Sequence, residues 1–587
     1  MLVCSILSLQ AQKKTVTGTV SDESGYLPGV TVTVKNTSRG TETDFDGKYF
    51  IKVSREDILV FSFVGMKRVE KKVGENSTIN IVMESDNLLE EVVVKAYAAP
   101  LKKTYTTAAI SLVANEEYVA PNYHKDSYSR INENTFKRTN NHPLSTFSID
   151  VDKASYSNVR RMINNGEEIP IDAVKIEEMI NYFDYGYPQP KGKHPFSIHS
   201  EVVQTPWNKE TKLVKIGLQG KQIKQDNLPA SNLVFLIDVS GSMDASNKLP
   251  LLKKAFKLLV NQLRKQDRVS IVVYAGAAGV VLEPTSGSKK AVIMQALENL
   301  QAGGSTAGGE GIELAYKLAE KNFKRKGNNR IILATDGDFN VGKTSNNAMQ
   351  KLIEKKRKTG VFLSVLGFGY GNYQDDKLEI LADKGNGNHA YIDTMQEAQK
   401  VFGKEFGGTL YTIAKDVKIQ VEFNPKKVKA YRLIGYENRM LNDEDFVDDT
   451  KDAGELGSGH TVTALYEIVL QGTESKFIKA LPKLKYSKSI AGTSFSDELL
   501  TVKFRYKNPN KHKSIELIKT VKDKLSKPSS DMNFASAVAL FGMYLRDSKF
   551  KNGSKLEDVV LLAKKGKNND KEGYRSEFIR LVKSYTN

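Results

Sequence analysis

A single cysteine, Cys4, in 587 residues leaves no pair from which the chain could close a disulfide. Stability must come from packed cores, and this length allows roughly three or four domains. Histidine is also scarce. Seven occur, none in an H-E-x-x-H arrangement, so a zinc peptidase has no visible ligands. His389 lies at the end of a turn before Ala390-Tyr-Ile392 and reads as a strand-edge residue. A G-x-S-x-G nucleophile elbow is missing, and His460 beside Ser458 in a Gly-rich loop reads as a loop pair, since near neighbours rarely present both side chains to one substrate. No apolar run reaches about eighteen residues, which excludes a membrane-spanning helix in the mature chain. Charge is unbalanced: 87 Lys plus Arg against 69 Asp plus Glu give +18, spread without one basic block. Without a nucleic-acid motif, that excess favours anionic envelope surfaces or acidic partners and no nucleic acid.

The richest local pattern is Asp238-Val-Ser240-Gly-Ser242, of the form D-x-S-x-S, after the apolar run Asn232 to Ile237. Thr306 lies in the glycine-rich loop Gly303 to Gly309, and Asp336 follows the apolar strand Arg330 to Thr335. Three hydroxyls and two carboxylates form an all-oxygen set suited to a hard octahedral ion such as Mg2+, for which Mn2+ or Ca2+ could substitute. Hydroxyls are neutral, so an ion held directly by Ser240, Ser242 and Thr306 keeps most of its charge. Asp238 and Asp336 then act through bound waters. Such an ion can accept an Asp or Glu carboxylate from a protein partner, and no catalysis is required.

From about Ser231 to Tyr411, short apolar strands alternate with amphipathic helices, as in a mostly parallel, doubly wound α/β sheet of Rossmann-like type. Ligands of such sheets bind beyond the carboxyl ends of the strands, where Asp238 and Asp336 stand. The pattern resembles the metal-ion-dependent adhesion site of a von Willebrand factor A domain. A competing motif overlaps it: Gly337-Asp-Phe-Asn-Val-Gly342-Lys343-Thr344 has the form of a phosphate-cradling loop. A nucleotide hydrolase built there would place Asp336 and Asp338 against polyphosphate and leave Ser240, Ser242 and Thr306 unexplained. A third reading is a structural envelope protein whose metal only stiffens the domain.

Met1 to Gln12 resembles the back half of a secretory signal peptide, so export to the periplasm, outer membrane or cell surface is expected. From Thr15 to Met83, short β runs separated by turns suggest a small sandwich. With Gly40-Thr-Glu-Thr-Asp44-Phe-Asp46-Gly47-Lys-Tyr49 it resembles the carboxypeptidase-regulatory-like module of exported Bacteroidetes-type proteins, which carries no peptidase chemistry. Leu88 to Tyr97 is similar to the segment that follows this module in TonB-dependent receptors, which implies a TonB or envelope contact.

Residues 145 to about 220, with Thr146-Phe-Ser-Ile-Asp150-Val-Asp152, and the tail with Phe534-Ala-Ser-Ala-Val-Ala, resemble the regions flanking the A domain in one bacterial exported family. Asp150 and Asp152 suggest either a second metal site or, better, caps of the helix carrying Tyr156, Val159 and Met162. The expected division is a leader remnant (1–12), β-sandwich (13–84), linker (85–141), von Willebrand N-terminal-type region (142–228), A domain (229–412), and a C-terminal region (413–587) of strands then helices. Strand-rich segments on either side of the A domain are expected to pair into one sandwich, with the A domain inserted, by fold-level analogy.

Overall fold

A computed structural model describes residues 14–586 except 85–125, 150–151, 306–307, 338–345, 406–409, 479–496 and the loop positions 23–24, 28, 36, 38, 45, 64–65, 452, 510 and 512. At its centre lies a six-stranded sheet in the order Ala278–Ser286, Arg268–Tyr274, Ser231–Asp238, Asn328–Thr335, Val361–Phe368, His389–Ile392. Its last five strands run parallel, and the first pairs antiparallel. Side chains on a strand alternate between faces, and here both faces are covered. Leu233, Phe235 and Ile237 point into one core with Leu252, Phe256 and Ile293. Val234 and Leu236 point into the other with Ile312, Tyr316, Ile353 and Leu378. The antiparallel edge strand Ala278–Ser286 was not legible in the sequence: it is half-buried to exposed and contains a proline, which only an edge tolerates readily.

The two flanks of this domain do form one sandwich. In one sheet Lys212–Gly220 pairs with Thr461–Leu470, bringing a strand from before the A domain against one from after it. The facing sheet repeats the arrangement, with Leu144–Ser148 against Thr412–Phe423. Phe147, Val214 and Ile216 from before the insertion share a core with Ile419, Tyr466, Val502 and Phe504 from after it. Residues 126–141, expected as linker, are part of the packed structure: Lys137–Arg138 adds to the sandwich sheet beside Val428–Ile434, and the Ser127 hydroxyl donates to Asp376 of the A domain at 2.5 Å.

The helices Ser530–Leu545, Leu556–Gly566 and Tyr574–Thr586 pack on Ala154–Asn165 and Ile176–Asn181 around Tyr156, Tyr182, Phe183, Phe534 and Phe578. The helix Ser530–Leu545 is nearly apolar all round, which suits a helix buried on most sides. The N-terminal module is two small sheets over Val16, Val20, Val32, Tyr49, Ile51 and Phe61. Among the described residues no helix is long and apolar enough to cross a membrane.

Candidate metal centre

Strands Ser231–Asp238 and Asn328–Thr335 are parallel neighbours, so the residues that follow them emerge side by side. The chain leaves the first strand toward one side of the sheet and the second toward the other, which opens a crevice at their carboxyl ends. Asp238 and Asp336 lie at its floor, both buried. Three donors orient Asp238. Its Oδ1 accepts from the Ser240 amide at 2.9 Å, and its Oδ2 accepts from the Tyr274 and Thr335 hydroxyls, each at 3.1 Å. Burial pushes the Asp238 carboxyl up to about 6, against the hydrogen bonds from Ser240 and with the help of the nearby Asp336 charge. An ionised carboxylate there is thus held at a cost that a cation would relieve.

Ser240 is buried and Ser242 exposed, so the hydroxyls rise from floor to mouth. The two hydroxyls are hydrogen-bonded to each other, with their Oγ atoms 3.1 Å apart. Adjacent oxygens around an octahedral ion with ligands at about 2.1 Å are roughly 3 Å apart, so this pair matches one edge of a magnesium shell. The donor chemistry and this spacing fit a hard divalent ion. Thr306 lies outside the described residues, but its loop is tied to the first one: the Gly303 amide donates to the Val239 carbonyl at 2.8 Å and the Gly241 amide to the Gly304 carbonyl at 3.0 Å. Lys343 and most of the G-x-x-x-x-G-K-T segment also lie outside the described residues.

Two features of the centre were not found by sequence reasoning. Thr335 and Tyr274 clamp Asp238 from neighbouring strands, and Lys248 donates to Asp336 Oδ2 at 2.9 Å. No local motif marks either; both depend on which strands become neighbours.

Asp152 is not a helix cap. The helix Ala154–Asn165 has Lys153 at its N-cap, without a side-chain bond. Asp152 instead accepts from the His389 amide at 2.7 Å and from Arg439 at 3.1 Å, joining the flanking module to the A domain. Asp150 lies outside the described residues. Carboxylate oxygens of Asp152, Glu178 and Glu379 come within 4.8 Å of one another, a spacing open to a metal. Protein cations already serve them: Lys175 donates to Glu379 at 2.8 Å and to Asp375 at 2.6 Å, and Arg439 to Glu379 at 2.8 Å. His389 starts the edge strand but is buried, with the Tyr373 hydroxyl 2.7 Å from its Nε2. Ser458 accepts from the Ile223 amide at 2.8 Å, and burial pushes the His460 imidazole down to about 4.

Four family models match the chain. They are the CarboxypepD_reg-like domain over residues 16–94, a von Willebrand factor model over 122–215, the von Willebrand factor type A domain over 232–404, and the C-terminal region of the uncharacterized protein YfbK over 408–587. The uncharacterized protein YfbK of Escherichia coli (strain K12) is 44% identical over 464 residues, 78% of this chain and 80% of the relative. The chain belongs to the YfbK family. Beside the YfbK match, TonB-dependent receptor P26 of Formosa agariphila is 44% identical over 114 residues, 19% of this chain but only 11% of the receptor. A solved von Willebrand factor type A structure from Catenulispora acidiphila aligns with 14% identity and a TM-score of 0.38, covering 66% of this chain and 90% of that one. The match to the von Willebrand factor type A domain points to protein interaction or adhesion.

Proposed function

We propose that this protein captures a protein partner through Mg2+ held by Asp238, Ser240, Ser242, Thr306 and Asp336. The observation that carries the proposal is the Ser240–Ser242 oxygen edge of 3.1 Å above two buried carboxylates at the switch point of the sheet. Ser240, Ser242 and Thr306 would touch the ion directly, and Asp238 and Asp336 would hold its waters. When bound, the ion supplies a retained positive charge and an exchangeable position for an Asp or Glu carboxylate of the partner. The exposure of Ser242 leaves that side open to a protein surface. Tyr274, Thr335 and the Ser240 amide keep Asp238 aimed, so this member of the site is pre-organised. Export to the periplasm or cell surface is supported by the likeness of the N-terminal module to those of TonB-dependent receptors. A TonB or envelope contact is assigned to Leu88–Tyr97, outside the described residues.

Calorimetric titration of the full chain with Mg2+ and then ATP, beside Asp238→Asn and Lys343→Ala, tests this. Asparagine keeps the size of the side chain and one acceptor oxygen, on the side of either the Ser240 amide or the two hydroxyls, while removing the charge. Magnesium heat that disappears only in Asp238→Asn, with ATP silent, supports the binding site and a magnesium-dependent pull-down of the partner. ATP heat that vanishes in Lys343→Ala would overturn it in favour of a nucleotide enzyme.

A further inference from the structure

The candidate metal centre contains a cation of its own. Lys248 donates from Nζ to Asp336 Oδ2 at 2.9 Å, with the two side chains 12% and 1% exposed. This contact is built into the fold at both ends of the lysine. At the backbone, the Lys248 amide donates to Ala245 at 2.9 Å and its carbonyl accepts from Leu252 at 2.8 Å, fixing it at the start of the helix Leu249–Gln262. Along the side chain, the stem runs over Gly369 at φ +72°, where a Cβ would fall 2.4 Å from Lys248 Cε and 2.6 Å from Cγ. A glycine therefore leaves the slot through which the ammonium reaches Asp336.

We infer that Lys248 is a tuning residue of this centre, a tethered counter-ion that weakens the hold on the divalent ion and leaves the loaded site with positive charge to offer a carboxylate. The inference rests on the metal-site reading given above. Its charge balance is simple. Counted over the described residues of the centre, Asp238 and Asp336 offset the charge of a divalent ion from behind its waters, and Lys248 adds one positive charge to the loaded site. An ammonium hydrogen-bonded to a carboxylate that holds the ion's waters opposes a divalent ion by about a factor of ten even at the dielectric constant of water. That same charge favours an incoming Asp or Glu side chain. The centre thus gives up ion affinity for attraction of an acidic partner.

The test is titration of the full chain with Mg2+ for wild type, Lys248→Gln and Lys248→Arg, each first shown to keep its circular dichroism spectrum in chelator. Glutamine keeps a donor for Asp336 and removes the charge; arginine keeps the charge. The expected result is an increase in Mg2+ affinity of about tenfold or more in Lys248→Gln, with Lys248→Arg within about threefold of wild type. A merely structural lysine would give the opposite sign, because loosening Asp336 lowers affinity. Wild type and Lys248→Gln binding alike, or Lys248→Gln binding more weakly, would overturn the inference and leave the metal site standing. No Mg2+ heat in any folded variant would overturn the metal site and this inference with it. Binding by Lys248→Gln alone would mean that the wild-type site is never loaded, and would overturn both the proposed function and this inference.

Discussion

Replacement of Arg160 by methionine should loosen the end of the A domain from the rest of the body. Arg160 lies on the helix Ala154–Asn165, and its side chain is 4% exposed. Its Nε donates to Asp393 at 2.8 Å, Nη2 to Glu397 at 2.8 Å, and Nη1 to Glu577 at 3.0 Å and to the Tyr182 hydroxyl at 3.1 Å. Asp393 and Glu397 bracket the start of the helix Met395–Ala398, which runs into the π-helical stretch Gln399–Lys404 at the end of the A domain, whereas Glu577 is on the C-terminal helix. One guanidinium therefore joins three elements that are far apart in sequence. Methionine fills much of the same volume but leaves three carboxylates without this cation. Removing one partner of a buried ion pair costs about 3–5 kcal/mol, and the Tyr182 hydroxyl at 2.7 Å from Glu397 offsets only part of it.

The melting temperature at pH 7.5 should fall by about 3 °C or more, and amide exchange should accelerate over 393–404. Burial already raises the Glu397 carboxyl, and losing Arg160 removes the main charge that opposes this. In the folded variant it will take up a proton at a pH where the unfolded chain is ionised. Stability of the variant relative to wild type should therefore recover as pH falls from 7.5 toward 5. A variant that melts within about a degree of wild type at pH 7.5, with unchanged exchange over 393–404, would refute the role of Arg160 as a clamp.

Two further outcomes are expected. Burial, opposed by Lys175 and reinforced by Glu379 and Asp375, pushes the Glu178 carboxyl up to about 8. The fold then binds a proton that the unfolded chain has lost above about 4.5, so stability falls as pH rises from 4.5 through 8, by up to about 1.4 kcal/mol per pH unit. Glu178→Gln should flatten the dependence of melting temperature between pH 5 and 8, and an unaltered slope would assign it to other groups. Gly337→Ala should destabilise by about 2 kcal/mol or more, as measured by thermal melting, because the residue sits at φ +96° with its Cβ direction 2.6 Å from the Gln374 amide nitrogen.

Much of the candidate site was legible because its signals are local. Asp238, Ser240 and Ser242 fall within five residues, and the apolar runs before Asp238 and Asp336 announce buried parallel strands by composition. Strand edges were harder. Ala278–Ser286 lacks a continuous apolar run because solvent covers much of it, and an edge strand need not show the pattern of a central one. Asp152 was misread as a cap for a related reason: a carboxylate before a helix has the same local appearance whether it bonds that helix or a partner 237 residues away.

The sequence by itself determined the order of modules, the doubly wound character of the central domain and the oxygen-rich chemistry of its loops. Periodicity and residue type act over a few residues and survive in a linear reading. Only the tertiary structure decided that the flanks close into one sandwich, that Thr335 and Tyr274 aim Asp238, and that Lys248 meets Asp336 across 88 residues. Those contacts arise from which strands become neighbours and where a buried charge finds its nearest partner. That choice is made by burial over the whole molecule, and no short stretch of the chain encodes it.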